Sequence, residues 1–120
     1  MRKLLLGVVA LGLSAPAAAE MTLGQFLAKA NALKAKGMMA MFSSDLKPVM
    51  NEMKAASAQL KAEGERRKAA GQPPIACPPK GAKMKSDEFL AMLNAVPPAQ
   101  RNVGLKDGLA RAMSAKFPCR

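Results

Sequence analysis

Two cysteines, a cluster of methionines and a surplus of lysine are the residues with chemical potential in this 120-residue chain, which contains no His, Trp or Tyr. Without His the commonest general base and metal ligand is missing. Met38, Met39 and Met41 cluster, and Met50 with Met53 forms M-x-x-M. Thioethers are soft ligands that suit Cu(I), so Met-based Cu(I) binding is a minor alternative, weakened by the lack of His and by a charge that repels cations. Ser44-Asp45-Leu46-Lys47 fits S-x-x-K, the acylation motif of penicillin-recognising enzymes, but its partner motifs S-D-N and K-T-G are missing and Ser44 reads as a helix cap. Asp87 and Glu88 are adjacent, so on a helix they point about 100° apart instead of sharing a proton. No phosphate-binding glycine loop, zinc-protease helix or nucleophile elbow is present. These residues imply no enzyme, no cofactor and no metal centre.

Charge is the stronger signal. The chain carries 19 Lys and Arg against 8 Asp and Glu. Lys47, Lys54, Lys61 and Lys68 recur every seven residues, Arg66 and Arg67 thicken the end of that row, and Lys80, Lys83 and Lys85 follow in a proline-rich segment. A basic surface of this kind suits an acidic protein face, anionic lipid or a glycan polyanion. The plainer reading is a solvated flank whose lysine stems cover apolar edges, and it is preferred for the helical row. Lys80, Lys83 and Lys85 remain candidates for partner or polyanion contact. Nucleic acid is disfavoured, because aromatic side chains for base stacking are scarce.

The elements that must position these residues begin after a leader. Met1-Arg2-Lys3 is a positive start, Leu4 to Leu13 is an apolar run, and Ala17-Ala18-Ala19 offers a small-x-small cleavage pattern. The apolar run covers only about half a bilayer core, which favours a signal peptide over an anchor. Residues 1–19 are therefore read as a signal peptide cleaved between Ala19 and Glu20, and 20–120 as one helical domain in the periplasm or outside the cell. Loss of Arg2 and Lys3 reduces the net charge from +11 to +9. Two cysteines in an oxidising compartment, without C-x-x-C spacing, read as a structural disulfide between Cys77 and Cys119. A redox or metal-binding thiol pair is the alternative. A closed loop spanning 42 positions stabilises by about 4 kcal/mol in the chain-entropy model.

β-Branched residues after the leader are confined to Thr22, Val49, Ile75, Val96 and Val103, while Ala, Leu, Met and Lys abound. This composition predicts an all-α fold. Thr22-x-x-Gln25 has the form of a capping box, and Leu23, Phe26, Leu27, Ala30 and Leu33 follow a helical period up to a stop at Gly37. Met38 to Phe42 has no polar side and is either core, the preferred reading, or a Met-rich contact patch. Ser43-Ser44-Asp45 caps a second helix with Leu46, Val49, Met50, Met53, Ala56 and Leu60 on one face, reaching toward Ala70, with Gly64 a point of bending. Pro73 to Lys85 is a loop. Ser86-Asp87-Glu88 caps a third helix, and Pro97-Pro98 opens a fourth that carries Leu105, Leu109, Ala112 and Met113. The result is a small four-helix domain in antiparallel pairs, with a proline-rich crossover loop, tied by one disulfide.

Cys77-Pro78-Pro79, the helix with Phe89, Leu90 and Leu93, Pro97-Pro98, and an Ala-rich helix ending Phe117-Pro118-Cys119 resemble the Rap/Tai family of periplasmic immunity proteins. The resemblance covers the stretch from Cys77 to Cys119. It implies an exported, helical, disulfide-linked protein that binds and blocks a peptidoglycan amidase delivered by type VI secretion. The expected function is thus a non-enzymatic periplasmic protein-binding module. The alternative is a polybasic envelope protein binding anionic lipid or glycan. Intact mass of the exported protein under non-reducing conditions is expected to match a chain starting at Glu20 with no free thiol. A mass retaining residues 1–19, or two alkylatable thiols, contradicts the respective expectation.

Overall fold

The computed structural model describes residues 21–119; the leader and the Ala19–Glu20 junction lie outside the described residues. Four α-helices make up the domain: α1 (Leu23–Lys36), α2 (Leu46–Ala69), α3 (Ser86–Asn94) and α4 (Leu105–Lys116). Two 3₁₀ segments, Gly37–Phe42 and Pro98–Gln100, lie between them. Among the described residues there is no strand beyond an isolated antiparallel bridge between Thr22 and Gly104. The all-α, four-helix expectation holds.

α1 begins as its sequence predicts. Thr22 Oγ1 accepts from the Gln25 amide at 3.1 Å, and Gln25 Oε1 accepts from the Thr22 amide at 3.0 Å. This reciprocal pair satisfies donors that a helix start otherwise leaves unpaired. Leu23, Phe26, Leu27 and Leu33 are buried on one face. The remaining early amides are met from the other end of the chain. Leu23 N–H donates to Val103 O at 2.9 Å and Gly24 N–H to Arg101 O at 2.8 Å, while Leu105 N–H donates to Met21 O at 2.8 Å. The heads of α1 and α4 are thereby stitched together.

This stitch explains why α4 starts late. Pro97-Pro98 was expected to open the fourth helix, but Pro98 leads only a 3₁₀ turn. Arg101 and Val103 use their carbonyls to meet the head of α1, and the helix forms only from Leu105 onward. The Arg101 side chain secures the connection. Its Nε donates to Val96 O and its Nη2 to Asn94 O, both at 2.8 Å, which satisfies carbonyls at the end of α3.

α4 touches each of the other three helices. Leu23, Leu27, Leu93 and Leu105 are the most deeply buried large side chains, joined in one core by Phe26, Val49, Met92, Val96 and Leu109. Val49 and Ala56 are the buried residues of α2, with Leu46, Met53 and Leu60 half-buried beside them. Met50, expected on the same stripe, faces solvent: the buried strip of this helix is narrow. α2 runs through Gly64 without interruption. It ends at Gly71, whose φ is +73°; Gln72 N–H reaches back to Arg67 O at 2.8 Å and Gly71 N–H to Lys68 O at 3.1 Å. This is a Schellman ending, which a glycine adopts without Cβ strain.

Two caps differ from expectation. Ser44 does not cap α2: the N-cap is Asp45, without a side-chain bond. Ser43 Oγ instead accepts from the Asp45 amide at 3.1 Å, a local turn that precedes the helix. At α3 the N-cap is Lys85, one residue before Ser86, and Glu88 Oε1 accepts its amide at 2.9 Å.

The proline-rich crossover lies between α2 and α3. Cys77 and Cys119 are bonded, with Cα atoms 5.0 Å apart. The Cys77 N–H also donates to Phe117 O at 2.8 Å, so the loop is fastened to the end of α4 by covalent and backbone links together.

Gly108 decides how closely α1 and α4 meet. A Cβ at this position would lie 2.8 Å from Leu23 Cβ and 2.9 Å from Leu23 Cδ2, too near for two carbons of a packed interior. Gly64, in the exposed run of α2, has nothing within 4 Å of the same position. Gly108→Ala is expected to destabilise the domain by about 1–3 kcal/mol through overpacking. Gly64→Ala is expected to stabilise by about 0.5–1 kcal/mol through helix propensity. Urea midpoints at constant slope measure both, and equal shifts would refute the close-approach account.

Candidate interaction surfaces

The segment read as core from its lack of polar residues lies outside the core. In the 3₁₀ segment Gly37–Phe42, Met38 is 83 %, Met39 65 %, Met41 71 % and Phe42 82 % exposed. Only Ala40 packs against the interior. The reason is local. Gly37, at φ +59°, ends α1, and the chain must turn a corner before α2 begins. A six-residue corner offers the core a single inward position.

Both flanks hold this corner in place. Ser43 N–H donates to Ala40 O at 3.0 Å, and Leu46 N–H to Ser43 O at 3.3 Å. Lys36 Nζ lies 3.4 Å from Ser43 Oγ, and Lys29 Nζ lies 3.8 Å from Asp45 Oδ1. Met50, 60 % exposed, continues the apolar surface onto the early turns of α2, where Lys47 is also exposed. The result is an apolar tip with cationic flanks. Methionine suits such a surface, because its unbranched thioether adapts to varied partners.

The M-x-x-M pair is divided between two environments. Met53 packs against the core and its Sδ accepts from Ser57 Oγ at 3.6 Å, whereas Met50 faces solvent. Both cysteine sulfurs are in the disulfide. Among the described residues, no three His, Cys, Asp or Glu side chains gather where they could hold a metal ion.

The other basic candidates lie on exposed backbone. Lys47, Lys54, Lys61 and Lys68 are all exposed along α2. Lys80 precedes Gly81, whose φ is +75°, in a turn closed by Ala82 N–H to Pro79 O at 3.0 Å. Lys83 and Lys85 flank Met84, which packs against the core and anchors this end of the loop. Lys80, Lys83 and Lys85 are exposed, and none forms an ion pair among the described residues.

One ionic group joins elements that sequence spacing could not pair. Glu63 of α2 accepts from Lys106 Nζ of α4 at 2.7 Å and lies 3.8 Å from Arg67 Nε. The Lys106 hydrogen bond, followed by the Lys106 charge, holds the Glu63 carboxyl below its ordinary range. The Glu63 hydrogen bond in turn raises Lys106, against the opposing effect of burial. The Arg67 contact follows from i,i+4 spacing on one helix, whereas the Lys106 contact depends on tertiary packing.

No family model, no curated protein and no solved structure matches this chain. Its chemistry must therefore be read from its own residues.

Because Glu63 titrates lower when folded, its contribution is complete above the ordinary glutamate range and is lost as pH falls through the folded value. Lys106, raised on folding, contributes fully below the ordinary lysine range and loses that contribution as pH rises through its folded value. Glu63→Gln is expected to melt below the parent protein at pH 7, with the two converging as pH falls through the folded value of Glu63. A difference that persists unchanged in acid would show that the carboxylate charge is not what joins α2 to α4.

Proposed function

We propose that the mature chain is a non-enzymatic binding module of the cell envelope that engages another protein through the Met38–Phe42 tip. The observation that carries this reading is the exposure of Met38, Met39, Met41 and Phe42 in a corner whose flanks are fastened by hydrogen bonds. Contiguous apolar surface of this kind is costly to leave in water and marks contact sites. An apolar centre with a charged rim also matches the anatomy of protein interfaces. Lys36 and Lys47 beside the tip favour a partner whose apolar groove has acidic edges. The resemblance to Rap/Tai immunity proteins supplies a partner class, a secreted peptidoglycan amidase, and the binding would block that enzyme.

A second reading rests on Lys80, Lys83 and Lys85, which are exposed and form no ion pair among the described residues: contact with anionic lipid or glycan in the envelope. The two differ in salt dependence. Contacts made mainly by exposed charges are screened at moderate ionic strength, whereas apolar anchors persist.

Tagged mature protein incubated with envelope extract containing the candidate amidase, then washed at low and high salt, tests the proposal. A stoichiometric protein is expected to survive high salt, and Phe42→Ala is expected to weaken its retention at least about tenfold. Retention of lipid or glycan alone, released by salt, would replace the protein-binding reading with the polyanion one. Undiminished capture by a Met38→Ser, Met41→Ser, Phe42→Ser variant would remove the tip from the interface.

A further inference from the structure

A second apolar surface lies between α3 and α4, and it is concave. Met92 and Val96 from the α3 side and Ala112 from α4 are buried beneath it. Ala91, Ala95 and Ala115 form its walls. Small side chains at these three positions leave a groove of about 500 Å³, within the usual range for small-molecule sites. We propose that this groove binds the hydrocarbon chain of a long-chain fatty acid, with Arg111 at its rim meeting the carboxylate.

The groove's chemistry selects hydrocarbon. Gln100 is the neutral polar side chain of the lining and is exposed, whereas the floor of Met92, Val96 and Ala112 is apolar and offers no side-chain partner for a hydrogen-bonding ligand. An extended peptide or a sugar placed there would leave polar groups desolvated and unpaired. A two-chain phospholipid demands more apolar volume than one such groove provides. A single alkyl chain carries no hydrogen-bonding groups along its length and matches the space.

The rim selects the head group. Arg111 and Lys116 border the groove, and neither pairs with a carboxylate among the described residues. Lys116 Nζ rests 5.6 Å from the centre of the Phe117 ring, leaving Arg111 as the cation best placed for a new anion. Its planar guanidinium can donate two parallel hydrogen bonds to a carboxylate. Glu88 is the acidic residue of the rim, and it accepts the Lys85 amide at the head of α3. The rim therefore carries one net positive charge, which suits a singly charged anion and disfavours a cationic amphiphile.

The disulfide-bonded mature protein is titrated with dodecanoate below its micellar concentration, with calorimetry and the methyl resonances of Met92 and Ala112 as readouts. Saturable equimolar binding is expected, with those methyls shifting and dodecyltrimethylammonium binding more weakly. Arg111→Gln is expected to weaken dodecanoate by up to about fivefold, the scale of an exposed charge pair. Ala95→Leu and Ala115→Leu fill the groove from opposite walls and are expected to abolish binding while melting like the parent. Two variants on different helices separate loss of the site from loss of the fold. The Met38→Ser, Met41→Ser, Phe42→Ser variant is expected to bind dodecanoate normally, which separates this site from the tip. Absence of saturable binding, equal affinity for the cationic amphiphile, or unchanged binding in both leucine variants would overturn the proposal. Tighter displacement by an acidic helical peptide would reassign the groove to a protein partner.

Discussion

The approach of Leu23 to Gly108 is the contact on which the arrangement of helices depends. Leu23 is the first residue of α1 and Gly108 lies in the first turn of α4. Any side chain on Gly108 would collide with Leu23, so the two helix heads meet at a distance that only glycine permits. At that distance the backbone of Met21–Gly24 can exchange hydrogen bonds with the segment from Arg101 to Leu105. Those bonds satisfy amides that two helix starts would otherwise leave to water. Once the two heads are joined, α4 stands where α1, α2 and α3 all pack against it.

The crossover from α2 to α3 has a different physical basis. Prolines and polar residues dominate it, and its apolar anchors are few: Met84 packs on the core and Ile75 is half-buried. A segment with so little burial loses much conformational freedom for little hydrophobic return. The Cys77–Cys119 bond and the Cys77 amide to Phe117 O hold it instead. The same link keeps the tail after α4 from fraying. Glu63 and Lys106 add an ionic tie between α2 and α4 near the opposite end of α2 from the tip.

The two exposed apolar surfaces follow from how thin this core is. A narrow buried strip on α2 and a single inward residue in the 3₁₀ corner leave Met38, Met39, Met41, Phe42 and Met50 in water. The short side chains of Ala91, Ala95 and Ala115 leave a groove open between α3 and α4. The tip is convex and the groove concave, and each pairs apolar area with cations.

Much of the helical architecture was legible along the chain, for reasons that act over a few residues. The Thr22–Gln25 capping box, the 3.6-residue period of α1 and the stop at Gly71 are local backbone effects, and they appear where their residue types require them. The cysteine pair was legible because only two cysteines are present. The preferred core reading of Met38 to Phe42 fails, and its contact-patch alternative could not be chosen from the chain, because an apolar run records hydrophobicity and not whether anything lies opposite it. Pro97-Pro98 was misread because a proline can begin a helix without the following residues being free to continue it. Those residues pair with the head of α1, some 80 positions earlier. Composition and short-range pattern therefore determined the helices, their number and the covalent tie. Tertiary packing alone decided which apolar side chains were left outside, where the groove opens, and which acid meets Lys106, because each depends on contacts between segments remote in sequence.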